Sequence, residues 1–338
     1  MPSTLANQFK KGCRTMNELQ TYVNSEGAPG RRRMTNWLRG LKRDLRRDKY
    51  LYLLALPGLL FFFIFKYVPM GGVVIAFQNY SPFAGILKSE WVGLEHFQRF
   101  FSTPDFILLF RNTMAISLMN LIFFFPLPIA LSLLLNELRS VVFKRTVQSI
   151  VYMPHFLSWV IIAGITFQLF GKGEGLVNKI LELLGASRID VLTNPHMFWI
   201  MLTLQSIWKE CGWGTILFLA AMAGIDPQVY EAAKIDGAGR LRQMWHITLP
   251  AIRNVIIILM ILRLGRTMDV GFEQVFLMYN GAVSEVAEVF DTYVYRVGIQ
   301  QAQFSYSAAV GLFKSVVGLL LVVLANRFAK RMGEEGVY

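Results

Sequence analysis

The segment EAAKIDGAGRLRQMWHITLP, residues 231–250, is polar, carries glycine near its middle and ends at a proline. It lies between two apolar stretches, 198–223 and 255–277, and each is long enough to cross a membrane, for which about 20 apolar residues suffice. A polar segment in this position is predicted to lie in water at one membrane surface. The charges of the loops indicate which surface that is.

The composition is that of an integral membrane protein. Of the 338 residues, 54% are hydrophobic and 17% are charged, whereas soluble domains carry about 25% charged residues. Six stretches have the length and apolar content of a membrane span, and they cover residues 51–77, 108–135, 149–170, 198–223, 255–277 and 308–328. We therefore expect an all-α integral membrane protein with six transmembrane helices in a domain over residues 50–330.

The charge distribution predicts the orientation of these spans. Residues 1–49 carry twelve Lys or Arg against four Asp or Glu, which is +8 of the chain's net +12. Such an arm before an apolar span is typical of a cytoplasmic anchor facing anionic lipid. A nucleic-acid-binding arm is the alternative, but no aromatic stacking platform accompanies these charges.

The loops agree with this orientation. An even number of spans returns the tail, residues 331–338, to the side of the N-terminus. Residues 226–253 carry four basic against three acidic side chains, and the opposite loop 279–305 carries one against three. The positive-inside rule therefore predicts that both termini and the loop 226–250 are cytoplasmic.

Residues 226–250 are predicted to form a helix–turn–helix between spans four and five. Asp226 is suited to an N-cap and Pro227 to the first helical position, and this helix is expected to run to about Ile235. Gly237 permits a sharp turn, because glycine adopts positive φ without a Cβ clash. A second helix is expected to follow the turn and to end before the closing proline. A surface loop that is merely helical is the alternative interpretation.

The spacing within this segment resembles the EAA loop of ABC importer permeases, in the form found in the carbohydrate-importer branch. The matching positions are Glu231, Ala232, Ala233, Asp236, Gly237, Ala238, Ile247, Leu249 and Pro250. Outside the first fifty residues the resemblance extends over most of the chain, through LPGLLFFFIFKYVP at 56–69, WVGLEHF at 91–97, RNTM at 111–114 and GFEQVFLMYN at 271–280. Together these stretches look like oligosaccharide permeases of the LplB/YteP type.

The resemblance implies a role and a set of partners. The short helix would be a cytoplasmic coupling helix that docks on an ATPase subunit, with Glu231 meeting a basic or polar group there. Gly237 would set the turn, and Leu249 and Pro250 would anchor the second helix. The expected assembly contains a second homologous permease, two ATPase subunits and an extracytoplasmic solute-binding protein, in the plasma membrane of a bacterium.

The chain itself is not expected to bind ATP or to catalyse a reaction. No G-x-x-x-x-G-K-[ST] phosphate loop is present, so ATP would be bound by a partner subunit and no cofactor is expected. The four histidines form no H-E-x-x-H motif, which argues against a membrane-embedded enzyme. Cys13 lies in the basic arm and Cys211 in an apolar span, so neither a disulfide nor a metal site is expected.

Ionisable residues inside spans are costly and mark functional sites. Spans four and five contain Lys209, Glu210, Arg263, Arg266 and Asp269. Arg263 and Arg266 are three residues apart and share a helix face. One interpretation is internal pairing, of Arg266 with Asp269 and of Glu210 with Arg263 or Lys209. The other is a polar translocation path that favours an anionic sugar, because the arginine fork binds carboxylates bidentately.

Trp213 lies in the same span as Lys209 and Glu210 and could stack on a sugar ring, although such residues more often serve packing. Lys66 and His155 are interpreted as structural. The resulting hypothesis is a permease subunit that imports oligosaccharides, with acidic, uronic-acid-containing sugars favoured by the excess of cations. An ion-coupled secondary transporter is the alternative function, but such a carrier has no need of the loop 226–250.

Overall fold

The computed structural model describes residues 47–173, 175–331, 333 and 336, and the chain divides into two compact units, Met1–Gly72 and Val73–Tyr338. The predicted basic arm 1–49 lies outside the described residues apart from its last three. Most of the predicted tail 331–338 lies outside them as well.

The described residues are mostly helical. The helices are α1 (Lys49–Phe77), α2 (Glu95–Ser102), α3 (Pro104–Asn136), α4 (Val141–Phe156), α5 (Trp159–Phe170), α6 (Leu176–Leu183), α7 (Pro195–Met222), α8 (Pro227–Ile235), α9 (Arg240–Ala251), α10 (Arg253–Gly265), α11 (Phe272–Met278), α12 (Ser284–Ala287), α13 (Phe290–Tyr295) and α14 (Phe304–Arg331). Two short strands, β1 (Gln78–Asn79) and β2 (Glu90–Trp91), pair antiparallel.

Three of the described helices, α1, α3 and α14, are long and apolar enough to cross a membrane. Two bent pairs, α4 with α5 and α9 with α10, raise the number to five if each pair is one span. The 28-residue α7 is not among them, because polar side chains such as Gln205, Lys209 and Glu210 interrupt its apolar sequence. The prediction of a helical membrane protein is confirmed, and the number of six spans stays a prediction.

The continuous helix predicted over 149–170 is wrong. The axis turns by 99° between α4 and α5. Pro154 interrupts the helix because its nitrogen cannot donate a hydrogen bond. Leu157 is extended, and the Ser158 side chain accepts a hydrogen bond from the Ile161 amide to start α5. We call residues 153–158 the elbow.

The continuous helix predicted over 255–277 is also wrong. Helix α10 ends at Gly265, and α11 begins only after Gly271, whose φ of +91° favours glycine. The preceding pair, α9 and α10, is bent by 60° at Ile252. Residues 266–271 therefore form a non-helical break, and polar side chains in it lie beside a cavity rather than on a helix face.

The segments outside the spans are ordered by local packing. Helix α2 buries Phe100 completely in a cluster with Phe106, Phe290 and Phe313. Helix α6 is a short helix in the segment between α5 and α7. After it, Thr193 donates side-chain and backbone hydrogen bonds to Asp190 and thereby lowers the pKa of that carboxyl below its ordinary value.

Candidate functional site

The loop 226–250 begins as its sequence predicts. The Asp226 side chain accepts a hydrogen bond of 2.9 Å from the Gln228 amide and caps α8. At the other end Gly237 has a φ of +74°. The Ala238 amide donates to the Ala233 carbonyl at 2.8 Å and the Gly237 amide donates to that of Lys234 at 3.1 Å. These two bonds form a Schellman motif, which requires the left-handed conformation at Gly237.

The second helix of the loop differs from the prediction in its bounds. It begins at Arg240 with Gly239 as its N-cap, and it continues through Pro250 to Ala251. A π-helical turn precedes the proline, in which the Leu249 amide donates to the Met244 carbonyl. This wider turn changes the hydrogen-bond register before Pro250. The helix therefore continues, although the proline nitrogen has no N–H to donate.

Hydrogen bonds hold the two helices of the loop together. The hydroxyl groups of Tyr230 and Thr248 form a hydrogen bond of 2.9 Å, and the Gln243 side chain donates to the Ala238 carbonyl at 2.7 Å. Arg240 lies 3.9 Å from the Glu137 carboxylate in the turn between α3 and α4. The loop is therefore a fixed unit attached to a second turn of the chain.

The outer face of this loop is uncovered in the isolated chain. Ile235, Leu241 and Trp245 are 87%, 71% and 65% exposed. Of the positions that match the EAA motif, those exposed to solvent are Glu231, Ala232, Asp236, Gly237 and Pro250, and those half-buried are Ala233, Ala238, Ile247 and Leu249. The loop thus presents apolar and acidic groups side by side.

A cavity of about 420 Å³ lies where α3, α5, α7, α10 and the break 266–271 meet. Five of the six residues predicted to line a substrate path line it: Glu210, Trp213, Arg263, Arg266 and Asp269. A second cavity of about 360 Å³ is lined by apolar residues such as Leu217 and Leu259 and also by both arginines and Trp213. The two cavities therefore share the arginines and the tryptophan.

Lys209, the sixth predicted residue, does not line the cavity. It is 7% exposed, and its Nζ donates to the carbonyls of His155 at 2.7 Å and Leu157 at 2.6 Å. These carbonyls belong to the elbow, where the helical hydrogen bonds stop. The structure therefore gives Lys209 a structural contact that satisfies the elbow's backbone.

The carboxylates of the cavity have cationic or polar partners of their own. Glu210 Oε2 lies 2.8 Å from His155 Nδ1, and Glu210 Oε1 lies 3.8 Å from Lys209 Nζ. Asp269 Oδ1 lies 4.0 Å from Lys314 Nζ, and Lys314 also contacts Asp291. Of the internal pairs considered, Lys209 with Glu210 forms, and Asp269 lies near Lys314 rather than pairing with Arg266.

The two arginines are differently placed. Arg263 lies in the last turn of α10 and Arg266 is its C-cap, where the negative end of the helix dipole favours cations. The Arg263 guanidinium lies 5.1 Å from the centre of the Phe124 ring. Within the described part of the chain neither arginine has a carboxylate within ion-pair distance. The carboxylates of the cavity therefore have direct ion-pair partners, whereas its arginines have none among the described residues.

Sequence analysis missed several polar residues of this site. Ser117, Asn120, Ser206 and Gln274 line the cavity, and Gln274 donates to the Leu202 carbonyl at 2.7 Å and to the side chain of Gln205. Each is an uncharged polar residue within or beside an apolar span, so no charge in the sequence marks it. Lys314 lies within the predicted last span, where an ionisable residue marks a functional site. It was nevertheless not among the residues predicted for the substrate path.

No group of three His, Cys, Asp or Glu side chains that could hold a metal ion occurs among the described residues. Cys211 is free and half-buried. Cys13 lies outside the described residues, so the expected absence of a disulfide is not tested.

Comparison with known proteins bears on this site. Residues 124–334 match the family described as "Binding-protein-dependent transport system inner membrane component". The chain is 57% identical over 294 residues to the polygalacturonan/rhamnogalacturonan transport system permease protein YteP of Bacillus subtilis (strain 168), covering 87% of this chain and 92% of that protein. It is 54% identical over 303 residues to Protein LplB of the same strain, covering 90% and 94%.

Two solved structures have the same fold. One is a bacterial alginate ABC transporter in complex with an alginate pentasaccharide-bound periplasmic protein, with a TM-score of 0.80, 39% identity, and coverage of 87% of this chain and 99% of that one. The other is a bacterial ABC transporter involved in the import of the acidic polysaccharide alginate, with a TM-score of 0.79, 40% identity, and coverage of 86% and 98%. The resemblance carried by the loop 226–250 is confirmed, and the chain belongs to the inner membrane components of binding-protein-dependent transport systems, which are transport permeases and not enzymes.

Proposed function

We propose that this chain is the permease subunit of an ATP-driven bacterial importer for oligosaccharides that carry carboxylate groups. The names of its relatives support this substrate class, since YteP is named for polygalacturonan and rhamnogalacturonan and the structural neighbours for alginate, an acidic polysaccharide. The cavity beside α7 and α10 would form part of the translocation path.

The observation that carries the proposal is the uneven compensation of charge in the cavity. Glu210 has His155 and Lys209 as partners and Asp269 lies near Lys314, whereas Arg263 and Arg266 have no ion pair in the described part of the chain. A guanidinium in a membrane span is costly without an anion nearby. A uronate carboxylate passing through the cavity would supply that anion, and the arginine fork can bind it bidentately.

The cavity would also allow the transported oligosaccharide to be released. Glu210 and Asp269 line the cavity together with the arginines, so a passing carboxylate is both attracted and repelled within a few ångströms. Their partial compensation by neighbouring cations leaves a moderate net attraction. A transport site requires this balance, because a substrate that binds too strongly leaves slowly.

We assign the coupling function to the loop 226–250. Its exposed Ile235, Leu241 and Trp245 offer an apolar patch beside the exposed carboxylate of Glu231. The proposed occupant is an ATPase subunit, which binds the ATP that drives transport. The assembly would contain a second homologous permease, two ATPases and a solute-binding protein, with six spans in this chain and its termini in the cytoplasm.

The test is uptake by the whole complex in proteoliposomes, with trigalacturonate and its carboxyl-reduced neutral counterpart as the two probes. We expect uptake of trigalacturonate that requires both ATP and the binding protein, at a higher rate than the neutral trisaccharide at equal occupancy of the binding protein. Uptake driven by an ion gradient without ATP would favour a secondary transporter. Equal or faster uptake of the neutral sugar would contradict the acidic substrate.

A further inference from the structure

The elbow between α4 and α5 contacts two residues that line the cavity we propose as the sugar path, Glu210 and Trp213. The His155 imidazole stacks on the Trp213 indole with ring centres 4.5 Å apart and an angle of 6° between the planes. Its Nδ1 also lies 2.8 Å from the Glu210 carboxylate. Glu210 and Trp213 are three residues apart on α7 and share a face, so one imidazole contacts both.

The backbone around Trp213 is fixed by close helix packing. A Cβ atom at Gly212 would lie 2.2 Å from the Val151 carbonyl oxygen, and one at Gly214 would lie 3.0 Å from the ring of Pro128. Helix α7 therefore approaches α4 on one side of Trp213 and α3 on the other. These glycines fix the position of the tryptophan backbone, while its side chain depends on its own contacts.

The Trp213 side chain is only partly covered. The imidazole packs against one side of the indole, and yet Trp213 is 47% exposed and lines both cavities. A flat aromatic ring held in this way offers an apolar surface to the C–H face of a sugar ring. Fixing it before the sugar arrives lowers the ordering cost of binding.

The elbow is itself tied to α7. Lys209 donates to the carbonyls of His155 and Leu157, so the residue that carries the imidazole is held by the helix that carries the indole. The imidazole, the carboxylate of Glu210 and the indole thus form one connected unit, which we call the His155 clamp.

We propose that His155 is a positioning residue of the sugar path, which holds the Trp213 indole as a stacking platform for oligosaccharide rings. This inference rests on the proposed function only for the identity of the ligand. The platform recognises the apolar face of a pyranose, whereas Arg263 and Arg266 would recognise its carboxylate. The two features would therefore contribute separately to transport.

The first experiment needs no sugar. In the purified complex, the fluorescence of Trp213 is isolated as the difference between the native chain and Trp213→Phe, and its quenching by acrylamide is measured. We expect His155→Ala to about double the quenching of Trp213, because it uncovers the second face of the indole. His155→Phe retains a flat ring and is expected to stay close to the native value. Unchanged quenching in His155→Ala would overturn the positioning role.

The second experiment measures uptake of trigalacturonate and of the neutral trisaccharide. We expect His155→Ala and Trp213→Ala each to lower uptake of the transported sugar about ten-fold, since loss of positioning is costly in a preorganised site. The double variant should be no worse than Trp213→Ala, and His155→Phe should recover most of the loss. Multiplying effects, or a loss in His155→Ala with normal uptake in Trp213→Ala, would contradict the clamp. Failure of the proposed substrate class would show instead as native uptake of only the neutral sugar, with the quenching result intact.

Discussion

Lys209 and Arg263 are both cations predicted to line the substrate path, but their surroundings give them different roles. Lys209 is buried and donates to two elbow carbonyls, which otherwise would lack donors. Arg263 is half-buried, lines the cavity and lies over the Phe124 ring rather than beside a carboxylate. Their charges could be predicted from the sequence. The role of Lys209, however, depends on the elbow between α4 and α5, and this bend could not be predicted from hydropathy or segment length.

Replacing Lys209 tests this division at the residue scale. We expect Lys209→Met to destabilise the purified complex by about 3 kcal/mol, because it leaves two carbonyls of the elbow without a donor in an apolar environment. Thermal unfolding in detergent measures the loss. Lys66→Met, at an exposed position of α1, is the matched control and should unfold like the native chain. A normally stable Lys209→Met variant that fails to import acidic sugar would instead place Lys209 in the substrate path.

At the scale of elements, local chemistry was a better guide than hydropathy. The start of α8 follows from Asp226 and Pro227, and its end follows from Gly237, because caps and turns depend on a few adjacent residues. The breaks at the elbow and at 266–271 were missed because an apolar run of 20 residues looks the same whether or not it bends. Pro154 and Gly271 were visible in these runs, but the partners that stabilise a break come from distant elements.

In the candidate site, too, contacts between distant elements could not be predicted from the sequence. Glu210, Trp213, Arg263, Arg266 and Asp269 were predictable because each is a costly or bulky residue in a span, and all five line one cavity. The contacts of His155 were not predictable, since they join the elbow to α7 across 55 residues of sequence. The partner of Asp269 was missed for the same reason.

The loop 226–250 is tested as an element by substitutions at its turn. We expect Gly237→Pro to abolish transport, because proline cannot adopt the φ of +74° found there. Glu231→Arg should do the same by reversing a charge on the docking face. Hydrolysis of ATP stimulated by the loaded binding protein should fall together with uptake, while the permease still inserts into the membrane.

Gly239→Ala is the matched control for this loop. Its φ of −69° suits any residue, and a Cβ there would have no atom within 4 Å. Uptake and stimulated hydrolysis should stay near the native values. If Gly237→Pro and Glu231→Arg also retain both activities, the loop does not couple this chain to an ATPase.

For the whole molecule, the described residues contain one proposed docking loop, so the two ATPases of the proposed assembly would require a second permease. We expect mild-detergent purification through a tag on this chain to recover a similar permease and two ATPase subunits, and the binding protein when sugar is present. Mass measurement of the intact complex gives the ratio. An active transporter that contains this chain alone would contradict the scheme.

Arg263 and Arg266 are proposed to make the path favourable for acidic oligosaccharides. The most direct measurement is ATP-driven uptake of trigalacturonate and of its neutral counterpart by Arg263→Gln and Arg266→Gln complexes that share one native binding protein. We predict that each variant loses about ten-fold of the acidic uptake, the loss expected when a charge-assisted hydrogen bond is removed, with the neutral uptake nearly unchanged. Arg188→Gln, in the loop after α6 and away from the cavity, should change neither. Native uptake of the acidic sugar by both cavity variants would contradict the account.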